Sequence, residues 1–106
     1  MGLFHHESEE AKQYSKFNEL VFARKGEAEI SYELIGGAAA YDAANAWEEH
    51  KVKMGEPENA AQAKEIVAGY AGTYVTMMVE TQGLDYIDPA RAKHEAKGRI
   101  ESAIDS

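Results

Sequence analysis

The 106-residue sequence predicts an all-α protein, a small bundle of about four helices completed by homodimerisation, and three kinds of observation lead there. Apolar residues recur at helical spacing along nearly the whole chain, while strand-like alternation is almost absent. Gly, Pro, Asn and Asp interrupt that pattern at positions where helices stop and start. Two of the expected helices are apolar on opposite faces, more apolar surface than two remaining amphipathic helices are expected to cover in so short a chain. The chain reads as a single helical domain, 1–106, with a flexible N-terminus over 1–7.

Taken in order, Ser8 to about Ala23 predicts the first helix, with Tyr14, Phe17, Leu20 and Val21 at helical spacing. Arg24-Lys25-Gly26 predicts its end: two cations favour the negative pole of the helix dipole, and Gly tolerates the conformation that follows. The second helix is expected from Glu27 to about Met54, stopped by Gly55 and Pro57. At about 100° per residue, Tyr32, Ile35, Gly36, Ala39, Ala43, Trp47, His50 and Met54 fall on one side of it. Ile30, Leu34, Tyr41 and Val52 fall on the other. Asn59 with Gln62 resembles a capping box and opens a third helix that runs to Gln82 and closes at Gly83. Ile66, Val67, Tyr70, Tyr74, Met77 and Met78 line one of its sides; Ala68, Ala71, Gly72, Val75 and Val79 line the opposite one. Asp88-Pro89 starts the fourth helix, which extends to about Ile104.

Composition excludes several function classes. With 19 acidic against 11 basic side chains, a formal net charge of −8, the chain repels phosphate backbones and anionic membranes, so neither nucleic acid nor membrane is an expected partner. Cys is absent, which removes disulfides, thiolate metal sites and Cys nucleophiles. The N-terminal residues do not resemble a signal peptide, and no apolar run approaches the roughly 20 residues of a membrane span. A cytoplasmic protein is expected. Myristoylation at Gly2 is disfavoured because His6 stands where Ser or Thr is wanted.

Several segments carry a resemblance to a known family. Ser31 to Tyr41, with its Ile35-Gly36-Gly37-Ala38-Ala39-Ala40 core, is followed in collinear order by Glu49-His50, Ala68-Gly69-Tyr70-Ala71-Gly72, Val79 to Asp88, and Ala92 to Lys97. Together they resemble the fungal CipC-like family. The resemblance implies a small cytosolic protein of antibiotic or stress response and brings no established enzymatic activity. This chain departs from the family's frequent His at the position of Tyr32 and its frequent Ala at that of Gly36.

In a Cys-free chain the four histidines are the main carriers of chemistry. His50 shares a helical face with Tyr32, Ala39, Ala43, Ala46 and Met54, and an imidazole beside small residues is a candidate axial ligand to haem iron, the Ala and Gly positions making room for the porphyrin. The alternative is a helix-end His that packs on Trp47 or caps a carbonyl. His94 is a possible second iron ligand, although it falls on the polar side of the fourth helix. Tyr32 is the third candidate for cofactor binding. His5 and His6 beside Glu7 form at most an adventitious metal site. No His-x-x-x-His, Glu-x-x-His or Asp-rich calcium loop occurs, and Gly69-x-x-Gly72 lacks the strand that precedes a phosphate loop. The residues point away from an enzyme. They leave two readings: a haem-binding helical dimer, and a ligand-free stress-response or interaction module whose helices serve dimerisation.

Overall fold

The computed structural model describes residues 3–5, 7–23 and 30–105. Four helices follow one another, α1 (Glu9–Ala23), α2 (Tyr32–Met54), α3 (Ala60–Thr81) and α4 (Pro89–Asp105), with no strand among the described residues. The all-α bundle predicted from sequence is therefore present.

Each described helix start is held by a side chain that satisfies an orphan N–H. Ser8 Oγ accepts from the Ala11 N–H at 3.1 Å, and Glu9 and Glu10 place negative charge at the positive pole of α1. The Arg24-Lys25-Gly26 stop signal lies outside the described residues. α2 starts five residues later than the sequence suggests, at Tyr32 instead of Glu27. The cause is Ser31, whose backbone is extended and whose Oγ accepts from the Leu34 N–H at 3.0 Å. Ile30 and Ile35, the two hydrophobic-staple positions around that cap, are both buried. At the other end Gly55 takes a positive φ of 83° and returns its N–H to the Lys51 carbonyl at 2.9 Å.

The capping expectations for α3 and α4 hold with one adjustment. Asn59 Oδ1 accepts from the Gln62 N–H at 2.8 Å, but Gln62 Oε1 reaches back one residue further, to the Glu58 N–H at 2.8 Å. At the C-terminus Gly83 has φ 65°, and the Leu84 N–H bonds the Val79 carbonyl at 3.0 Å, the six-to-one bond of a Schellman ending. Leu84 and Ile87 then plug the core from the short connector, and Asp88 Oδ1 receives the Ala90 N–H at 3.1 Å.

α2 is the axis of the bundle. It packs against α1, α3 and α4, and α3 also packs against α4. Contacts set the directions: Gly72 meets Lys93 and Lys64 pairs with Asp105 at 2.8 Å, so α3 and α4 are antiparallel. Gly36 meets Glu95 and Ala96 while Tyr32 meets Asp88, so α2 and α4 run the same way. Ala38, Ala39, Ala40 and Ala43 are fully buried, and Gly36 and Gly37 abut the side chains of Glu95 and Gln13. This explains the small residues. A helix clad in Ala and Gly lets three neighbours approach it closely, which offsets the roughly 0.5–1 kcal/mol that each interior Gly costs relative to Ala. From Leu34 to Trp47 both apolar faces of α2 are largely covered by helices of the same chain. Among the described residues, the large apolar side chains left exposed are Val52 and Met54 at the end of α2, Met77 on α3, and Tyr86 in the connector.

Among the described residues, no helix is long and apolar enough to cross a membrane.

Candidate functional site

His50 lies in the last turns of α2, one helical turn after Trp47, and the i, i+3 spacing lets the two rings meet. They stack with centroids 5.5 Å apart and planes inclined by 17°. Tyr70, projecting from α3, completes the group: its hydroxyl is 3.1 Å from His50 Nδ1 and its ring meets the imidazole edge-on at 6.1 Å. Lys51 places its ammonium 5.5 Å from the Trp47 ring centroid and pairs with Glu48 at 3.2 Å. Trp47 is buried and His50 half-buried, so the imidazole is held by two side chains, Trp47 and Tyr70, at the seam between α2 and α3. With Nδ1 engaged by Tyr70, Nε2 is the nitrogen left for a ligand, the arrangement in which an outer partner orients a ligating His.

The other two candidates lie elsewhere. Tyr32 is 18 residues from His50 on the same helix, about 27 Å along the axis. Its hydroxyl accepts the Asp88 N–H at 2.9 Å and the Arg91 guanidinium sits 4.2 Å from its ring centroid, so Tyr32 fastens the start of α4 to the start of α2. His94 is exposed on α4, one residue before the Glu95 that abuts Gly36. That level of α2 is 14 residues, or about 21 Å, from His50. His94 lines an open groove with Phe4, Glu10, Gly98 and Arg99. One chain therefore does not bring His50, His94 and Tyr32 together. The space expected for a porphyrin beside Ala39 and Ala43 is not open, because both residues are sealed in the interior. His6 lies outside the described residues. Among the described residues, no group of three or more His, Asp or Glu side chains is placed to hold a metal ion.

Two polar clusters escaped the sequence reading. Arg99 gathers Glu10 at 2.8 Å, Glu95 at 3.2 Å and Glu9 at 3.7 Å, closing α1 onto α4. The Glu95–Arg99 spacing is visible in the sequence, whereas Glu10 is 89 residues from Arg99. The second cluster is aromatic. Tyr14 lies 5.2 Å from Tyr41 and 6.4 Å from Tyr74, and the buried Tyr74 hydroxyl has no hydrogen-bond partner among the described residues. Burial, reinforced by nearby Tyr14 and Asp42, pushes the Tyr74 phenol above its ordinary range. Burial likewise raises the Asp42 carboxyl. A raised acid favours the folded state while it is neutral, and that contribution is lost as pH rises through the folded-state value. Asp42→Asn is therefore expected to melt higher than the native chain near neutral pH and to lose that advantage at about pH 3, below the ordinary carboxylate range. Thermal unfolding at the two pH values checks this, and an Asn variant that is less stable near neutrality refutes it.

The family comparison places the chain without assigning a reaction. Residues 6–106 match the family described as Virulence factor CipC-like. The chain belongs to that CipC-like family, as its sequence resemblance implied. No curated protein and no solved structure matches it.

Proposed function

We propose that this CipC-like chain acts by binding rather than catalysis, as a cytoplasmic stress-response protein of a fungal cell, and that His50 is its point of attachment for haem. The observation that carries the reading is the fixed imidazole: Tyr70 holds Nδ1 at 3.1 Å and Trp47 stacks beneath the ring, which directs Nε2 to the ligand. Haem fits this donor set because one neutral imidazole suffices as an axial ligand and the porphyrin supplies the remaining four nitrogens. Exposed Met54, one turn beyond His50, offers apolar surface to the macrocycle.

Titrating the purified full chain with haemin is expected to yield a shifted Soret band that saturates at one haem per chain or per pair of chains. His50→Ala should abolish it. Tyr70→Phe should weaken binding about 10-fold or more, the usual scale for losing an outer-sphere partner of a ligating His. His94→Ala reports whether a second copy supplies the opposite axial ligand, since His94 and His50 of one chain are too far apart to share an iron. A band that survives His50→Ala unchanged defeats the assignment.

The sealed Ala and Gly face of α2 favours a second reading, a ligand-free interaction module whose working surface is wholly external. Absence of any haem-induced band at saturating haemin decides for it.

A further inference from the structure

We propose that the outer face of α3, from Gly69 to Glu80, is a self-complementary interface for a second copy of this chain. Gly69, Gly72, Thr73, Thr76, Met77 and Glu80, with Lys93 of α4, line a groove of about 530 Å³. Its glycines are unlike those of α2. A Cβ built on Gly69 meets nothing within 4 Å, and one on Gly72 makes only ordinary contacts with Lys93 at 3.7 Å or more. Among the described residues, no contact accounts for Gly in the middle of a helix there, where Ala is more stable by about 0.5–1 kcal/mol.

The threonines smooth the same face. Thr73 donates its hydroxyl to the Gly69 carbonyl at 3.1 Å and Thr81 to the Met77 carbonyl at 2.7 Å, so both hydroxyls are satisfied by their own helix. Beside this low surface stands Met77, 47% exposed. A knob next to a shallow trough on one helix suits an antiparallel copy of that helix. A two-fold axis near Thr73 and Thr76 sets Met77 of each subunit against the Gly69–Thr73 stretch of the other.

Charge selects the same occupant. Among the described residues, neither Glu80 nor Lys93 has an ion-pair partner, and the two-fold brings Glu80 of each copy toward Lys93 of the other. A chain of net charge −8 repels another copy unless its contact face is locally complementary, and this face carries one charge of each sign. The seam from Gly69 to Glu80 is about 16 Å long, which places it among small interfaces, below about 1,200 Å² in total, with concentration-dependent assembly. This dimer stands on α3 and α4 and does not depend on haem at His50.

Sedimentation of the full chain over a concentration series is expected to show mass rising from 11.7 kDa toward twice that value. Met77→Asp should weaken association at least about 10-fold, equivalent to about 1.4 kcal/mol. Glu80→Lys and Lys93→Glu should each weaken it, and the double variant should restore it. Circular dichroism of each variant verifies the fold, which tolerates these changes because all three side chains are exposed. A chain that stays monomeric throughout overturns the proposal, as does a dimer indifferent to Met77→Asp or one that the paired charge reversal fails to rescue.

Discussion

Replacing Phe17 by Ala is expected to remove about 3–5 kcal/mol of unfolding free energy. Phe17 is completely buried, the largest fully buried side chain among the described residues, and its ring meets that of Tyr74 at 6.2 Å. Truncation loses the transfer energy of the ring and opens a cavity that the Ala-lined surface of α2 has few atoms to fill. Water entering that cavity gains access to the unpartnered Tyr74 hydroxyl, but one new hydrogen bond returns only about 0.5–1.5 kcal/mol. The loss therefore dominates. Against a total stability of about 5–15 kcal/mol it is large, and it corresponds to a melting point lower by about 12 °C or more. Urea unfolding followed by far-UV circular dichroism measures it. A loss below about 1 kcal/mol would show that α1 contributes little to the closed core.

Gly36→Val is expected to destabilise by at least about 2 kcal/mol, for the opposite reason. A Cβ at this position runs into Glu95, with the Glu95 Cβ 2.8 Å away, and lies 3.3 Å from the backbone nitrogen of Ala96. Rotation can swing the Glu95 Cγ aside, but its Cβ is fixed by the α4 backbone, so even one methyl strains the contact. The Ala96 backbone cannot make way for a branched side chain without pushing α4 off α2. The gain from removing Gly is about 1 kcal/mol at most, so overpacking wins. Gly69→Ala, measured at concentrations where the chain is monomeric, is the matched control: with nothing within 4 Å it is expected to stabilise by about 0.5–1 kcal/mol. Thermal unfolding of both variants separates the two kinds of glycine, and equal effects at Gly36 and Gly69 contradict the packing described here.

What was legible in the sequence follows from the range of each interaction. Asn59, Gly83 and Asp88-Pro89 mark helix ends because each satisfies or frees backbone groups a few residues away. The start of α2 was missed because Ser31 decides it by a competition between side chain and helix backbone, which a run of otherwise helical residues conceals. At the candidate site, the approach of Trp47 to His50 is set by one helical turn and is readable. Tyr70, 20 residues on, enters only through the register of α3 against α2. The same limit hid the partner of Tyr32, 56 residues away at Asp88. Two apolar faces on α2 are legible as periodicity, whereas the sharing of that one central helix by three neighbours of the same chain is not.

The stack of Trp47 on His50 gives the protein a built-in optical gauge. Trp47 is its sole tryptophan, so ultraviolet-excited indole emission from the folded chain originates at the seam where the imidazole is held. Anything that seats against Nε2 changes the surroundings of that one fluorophore, and a porphyrin there would drain its excited state by energy transfer. Occupancy of His50 can therefore be followed by emission in dilute solution, without a label.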